Sequence, residues 1–133
     1  MKKIILISML MMFSTTGFAT NWIFLTETED EKISLYIDTE TIKKRNGYIY
    51  YWQLTNYKAM IRMRDSSSPA ASAKAHYMAD CNLDRGRHLS SVIYSGKMGG
   101  GKAIGRDDLN EWNYVVPGTL QDHIQTFVCS YFE

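Results

Sequence analysis

The sequence predicts an α+β domain: a mainly antiparallel sheet of five or six strands, with one C-terminal helix packed on it and disulfide-linked to it. Three observations predict this class. Apolar and polar residues alternate with period two in several segments between residues 21 and 116, the pattern of half-buried strands. A single stretch, from Leu120 onward, changes to helical spacing. The chain has two cysteines, Cys81 where a predicted strand ends and Cys129 late in the predicted helix.

The elements follow in order. Lys2 and Lys3 precede an apolar run from Ile4 to Phe13, and Gly17-Phe18-Ala19 supplies small residues for cleavage, so residues 1–19 read as a secretory signal peptide. The run is shorter than the roughly 20 residues a bilayer requires, which argues against an uncleaved anchor. No cysteine lies near the cleavage site to carry a lipid, and no second long apolar run follows. Residues 20–133 are therefore expected to form one soluble, exported domain. It carries 13 basic against 14 acidic groups, a balance that gives no electrostatic reason to expect nucleic acid.

Asn21 to Thr26, dense in aromatic and β-branched residues, reads as a first strand. Glu27 to Glu31 is an acidic turn, and Ile33, Leu35 and Ile37 alternate with polar partners in a second strand. Asp38 is placed to cap the short Thr39–Ile42 turn. Lys43-Lys44-Arg45 reads as a solvated basic rim before the Asn46-Gly47 reverse turn. Tyr48 to Asn56 carries aromatics on both faces, as a central strand does. Tyr57 to Ala70 starts strand-like and basic and ends in a flexible Asp65–Pro69 loop. Ser72 to Cys81 alternates again, Asp84–Arg87 reads as a hairpin turn, and His88 to Ser95 as the next strand. Gly96 to Gly105 is a glycine-rich connection, and Glu111 to Val116 a last strand stopped by Pro117-Gly118. Thr119 and Asp122 form a variant capping box for a helix whose stripe is Leu120, Ile124, Phe127, Val128 and Tyr131.

Two cysteines in an exported chain point to one disulfide, closing a loop of about 48 residues. The alternatives are free thiols or a redox or metal site, which would lack both CxxC spacing and clustered histidine.

Motifs of catalysis are absent or incomplete, and no enzyme is expected. Gly96 to Lys102 fits most of a phosphate-binding G-x-x-x-x-G-K loop, but Ala103 stands where a hydroxyl must hold magnesium and no helix start follows. Its glycines read as a flexible turn or bulge. His76, His88 and His123 lie on separate elements without ligand spacing, so neither a metal nor another cofactor is expected. The carboxylates at Asp107-Asp108 and Glu29–Glu31 fall in polar turns, where solvation is the ordinary state. Nine tyrosines and three tryptophans fall largely in strand alternations, which assigns them first to sheet packing, while an interface would use the same side chains. The basic candidates for a partner surface are Lys58, Arg62 and Arg64 in one segment and Lys97, Lys102 and Arg106 in another, with solvated loops as the alternative for both.

Several short motifs keep one order: Ser72-Ala-Lys74, Asp80-Cys81, Arg87-His-Leu89, Tyr94-Ser-Gly-Lys-Met98-Gly-Gly-Gly101, Trp112, Pro117-Gly-Thr119 and Cys129. With Trp22, Tyr36-Ile-Asp38 and Ile42 they resemble the surface-adhesin protein E family of Gram-negative bacteria over nearly all of residues 20–133. The resemblance implies an antiparallel sheet with a disulfide-held C-terminal helix, homodimers, and binding of host proteins such as laminin, vitronectin and plasminogen. The founding adhesin is a lipoprotein, and this sequence lacks the lipid-bearing cysteine, so surface display does not carry over and a periplasmic or released protein is equally expected. No ligand-contacting residue carries over either. The expectation is a non-enzymatic exported binding protein. The alternative is a soluble periplasmic inhibitor or envelope-homeostasis factor, and a third reading is a haem carrier.

Overall fold

The computed structural model describes residues 21–62 and 68–132. The predicted signal peptide, residues 1–19, lies outside the described residues. The strands are β1 (Trp22–Glu27), β2 (Ile33–Asp38), β3 (Lys43–Arg45), β4 (Tyr48–Arg62), β5 (Pro69–Asp80), β6 (Arg85–Tyr94), β7 (Ala103–Asp107) and β8 (Trp112–Tyr114), followed by one helix, α1 (Leu120–Ser130). They make a single sheet in the order β1-β2-β4-β5-β6-β7, antiparallel at every pairing. β3 joins β4, and β8 joins β6.

The α+β class with its disulfide-tied helix stands, and the sheet has eight strands where five or six were expected. Local geometry supplies the surplus. Asn46 and Gly47 both take positive φ, 51° and 82°, as a two-residue type I′ turn requires. That turn folds Lys43–Arg45 back onto Tyr48–Tyr50, so the basic rim is a strand. β7 emerges from the glycine-rich connection because Ala103 to Asp107 pairs with β6. β4 continues past Asn56 to Arg62, where Arg62 pairs with Pro69 at the start of β5. Proline is tolerated there because a first strand position can do without an N–H. Residues 65–67 of the expected flexible loop lie outside the described residues. The turn between β5 and β6 comes earlier than Asp84–Arg87, because Asp80 Oδ1 accepts from the N–H of Asn82 (3.1 Å) and Leu83 (3.2 Å).

The core lies between the sheet and α1. Leu35, Ile37, Ile42, Ile49, Tyr51 and Ala79 meet Ile124 and Val128 in one buried cluster. Thr119 caps the helix by accepting from Asp122 N–H, and Asp122 reaches back to Gly118 N–H at 2.9 Å. Tyr131, the last residue of the expected stripe, is exposed at the helix end. Cys81 and Cys129 are joined, with Cα atoms 5.8 Å apart, so the end of β5 is fastened to α1. Gln125 Nε2 adds hydrogen bonds to the carbonyls of Asp80 (3.3 Å) and Arg85 (3.0 Å). Burial alone would raise the Asp80 carboxyl, but Arg85 at 3.0 Å and the two turn amides outweigh it and hold the group below its ordinary value.

Candidate functional site

α1 covers one face of the sheet. Among the described residues the opposite face carries no α-helix, and it is built from residues of the other parity. Cross-strand register sets its rows. Phe24 lies opposite Tyr36, Tyr36 opposite Leu54, Leu54 opposite Lys74, Lys74 opposite Val92, and Val92 opposite Arg106. A second row runs from Lys43 to Tyr50, Met78, Arg87 and Trp112. Aromatic rings and cations therefore share one surface. Lys74 Nζ stands 5.8 Å from the Trp22 ring and 5.3 Å from that of Tyr94. Arg85 and Arg87 lie 4.3 Å and 5.7 Å over Trp112, which also meets Tyr48 at 5.6 Å. Trp52 stacks on His76 with centroids 4.7 Å apart and planes 4° from parallel, and Tyr50 lies 6.0 Å from the same imidazole. Beneath this layer Leu54 is fully buried. The rings therefore act as a second, thin core, consistent with cross-strand pairing.

Each end of this face is bounded. At one end stand the exposed cations of β3. At the other the glycine loop folds down onto the sheet rather than projecting as a flexible turn. Ser72 Oγ donates to Gly96 O (2.6 Å) and accepts from Gly99 N–H (2.8 Å), and Asn56 Oδ1 accepts from Met98 N–H (2.9 Å). Gly101 has φ +71°, and a Cβ there would lie 2.5 Å from Ser95 Oγ and 2.8 Å from Gly96 N. Gly101→Ala is expected to destabilise the domain by about 1–2 kcal/mol through the left-handed backbone alone. Hydrogen exchange should quicken at Met98 and Gly99 first; unchanged protection there would mean that the loop does not depend on this glycine.

The sequence-predicted partner residues are scattered. Lys97 Nζ donates to the Lys58 carbonyl at 2.8 Å, and Lys58 Nζ sits 3.3 Å from Glu31, so these two are brought together but already engaged. Arg62 ends β4, far along the sheet from β3, and Arg64 lies outside the described residues. Lys102 precedes β7, where its N–H reaches Ser95 Oγ at 2.9 Å. Arg106 alone joins the helix-free face by register. The cations that dominate that face, Lys43, Arg45, Lys74, Arg85 and Arg87, were not among the candidates. Alternation within Lys43-Lys44-Arg45 opposite the aromatic Tyr48–Trp52 segment was the signal that could have found two of them.

The histidines do not converge. His76 belongs to the aromatic layer, His88 packs beside Tyr77 at 5.2 Å, and His123 is exposed on α1. On the helix side a concavity of about 500 Å³ opens between the sheet and the 109–116 segment, with Leu109, Tyr114 and Val116 exposed at its rim and Tyr77 and His88 within.

The profile of the surface-adhesin protein E family matches residues 22–130. The chain belongs to the surface-adhesin protein E family. Solved structures agree on the fold. A crystal form of Haemophilus influenzae protein E superimposes with a TM-score of 0.66 at 16% identity, covering 83% of this chain and 90% of that one. Protein E from non-typeable Haemophilus influenzae gives a TM-score of 0.62 at 18% identity, covering 88% of this chain and 81% of that one. At such identities the likeness concerns the fold alone. No curated protein sequence matches. Among the described residues no helix is long and apolar enough to cross a membrane. The adhesin-E fold thus presents, in this chain, one sheet face to α1 and the other, aromatic and cationic, away from it.

Proposed function

We propose that residues 20–133 act after export, and after removal of residues 1–19, as a non-enzymatic binding domain that contacts a host matrix or serum protein. The observation that carries this reading is the helix-free sheet face, where half-buried rings alternate with Lys43, Arg45, Lys74 and Arg87. Aromatic and arginine side chains are the types that anchor protein interfaces, because they give large contact area for few rotatable bonds. Membership of an adhesin family supports the same reading. Arg62 and Lys102 then act as outlying basic groups that steer an acidic partner, and Arg106 as part of the face itself.

A second reading, a periplasmic inhibitor of an envelope enzyme, is favoured by the exposed Leu109, Tyr114 and Val116 around the helix-side concavity. Proteolysis of intact cells separates the two. Loss of the native protein to external protease supports contact with host proteins. Protection until the outer membrane is opened would overturn that reading in favour of the inhibitor.

A further inference from the structure

At the β3 end of the helix-free face a cleft of about 180 Å³ is lined by Thr41, Lys43, Arg45, Tyr50, Trp52 and His76. Its walls are cationic. Lys43 and Arg45 point the same way from β3, directly opposite Tyr50 and Tyr48. Both are exposed, and neither has a carboxylate partner among the described residues, where the ion pairs are Lys32–Asp30, Lys58–Glu31 and Arg85–Asp80. Two like charges held on one face repel each other, so an anion placed between them is favoured by both.

The floor supplies hydrogen-bonding groups beside its rings. Each ring of the Trp52–His76 stack has one face covered by the other. The Trp52 indole N–H, the Tyr50 hydroxyl and the His76 nitrogens have no partner among the described residues, whereas Thr41 Oγ1 donates to Asp38 O (2.8 Å) and accepts from the backbone N–H of Trp52 (3.4 Å). Burial, and then the charges of Arg45 and Lys43, lower the His76 pKa, so its imidazole is neutral at pH 7 and offers one donor and one acceptor. Neutral donors and acceptors beside aromatic carbon suit sugar hydroxyls and ring C–H groups. The two cations suit a sulfate or carboxylate.

We infer that this cleft binds one charged unit of an acidic glycan, with Lys43 and Arg45 on its sulfate or carboxylate and Tyr50, Trp52 and His76 on its hydroxyls and ring. The inference rests on the helix-free face being the binding surface. A nucleic acid would instead stack its bases on the outer faces of these rings.

Titration of the intact, disulfide-bonded protein tests this, using a short heparin-derived oligosaccharide, a hyaluronan oligosaccharide and a single-stranded oligonucleotide. Binding of either saccharide is expected, with a change in tryptophan fluorescence. Heparin alone would identify sulfate as the group held, and both would identify any anionic unit. The double substitution Lys43→Gln with Arg45→Gln should weaken saccharide binding about tenfold or more by removing charge-assisted hydrogen bonds. Lys44→Gln, on the same strand but the opposite face, should change it less than about twofold if the site is local, since an exposed charge interacts through screening solvent. All variants are exposed substitutions and should keep the parent melting temperature. Equal losses in the two variants, tighter binding of the oligonucleotide, or no saccharide binding would each overturn the inference. If the protein still captured a matrix protein through this face without binding either saccharide, only the glycan assignment would fall.

Discussion

Cys129→Ser is expected to destabilise the domain by about 4 kcal/mol and lower its melting temperature by roughly 15 °C. The bond joins residues 48 apart in sequence, and removing so long a cross-link frees much of the unfolded chain. It also fastens α1 to the end of β5 at the point where Gln125 reaches the carbonyls of Asp80 and Arg85. The damage should therefore be uneven. Amides of α1 should lose protection against hydrogen exchange before those of β4 and β5, which lie at the centre of the sheet. The paired substitution Cys81→Ser with Cys129→Ser excludes effects of a lone thiol. Unchanged thermal unfolding of that pair would remove the disulfide from the account of how the helix is held.

The second large effect is expected at Ile124, which is 1% exposed and enters the cluster of Leu35, Ile37, Ile42, Ile49, Tyr51, Ala79 and Val128. Ile124→Ala should reduce stability by about 3 kcal/mol, the sum of lost burial and an unfilled cavity. Phe127→Ala, only partly buried at the margin of the same cluster, removes a larger side chain yet should have the smaller effect. Chemical denaturation of both variants measures the order. A larger loss at Phe127 would place the centre of the helix–sheet interface elsewhere along α1.

The fold was legible where periodicity and turn chemistry agree. The alternation of Ile33 to Asp38 and of Tyr48 to Asn56, the Asn46-Gly47 turn and the Thr119 cap each appear as expected. The two strands without a signal of their own, β3 and β7, are three and five residues long, and their pairing comes from neighbouring strands rather than from their own composition. The candidate site was harder to read. Near-neutral net charge conceals segregation, because Lys43, Arg45, Lys74 and Arg87 come from four separate strand positions that only register places on one face. Lys58 and Lys97, conspicuous as basic residues in the sequence, are occupied by Glu31 and a backbone carbonyl. Side-chain type identified cations; which of them were free depended on partners distant in sequence.

The position of α1 after all eight strands has a consequence for the order of assembly. Residues Leu35 to Tyr51 cannot complete their apolar contacts until a segment some seventy or more residues downstream has been made and has docked. Contacts of such long sequence separation slow folding and leave the sheet's apolar side uncovered in the interval. During that interval the chain is at its most adhesive towards other chains. Oxidation of the cysteine pair then acts as a ratchet: once formed, it keeps the late-arriving helix beside the sheet through later openings.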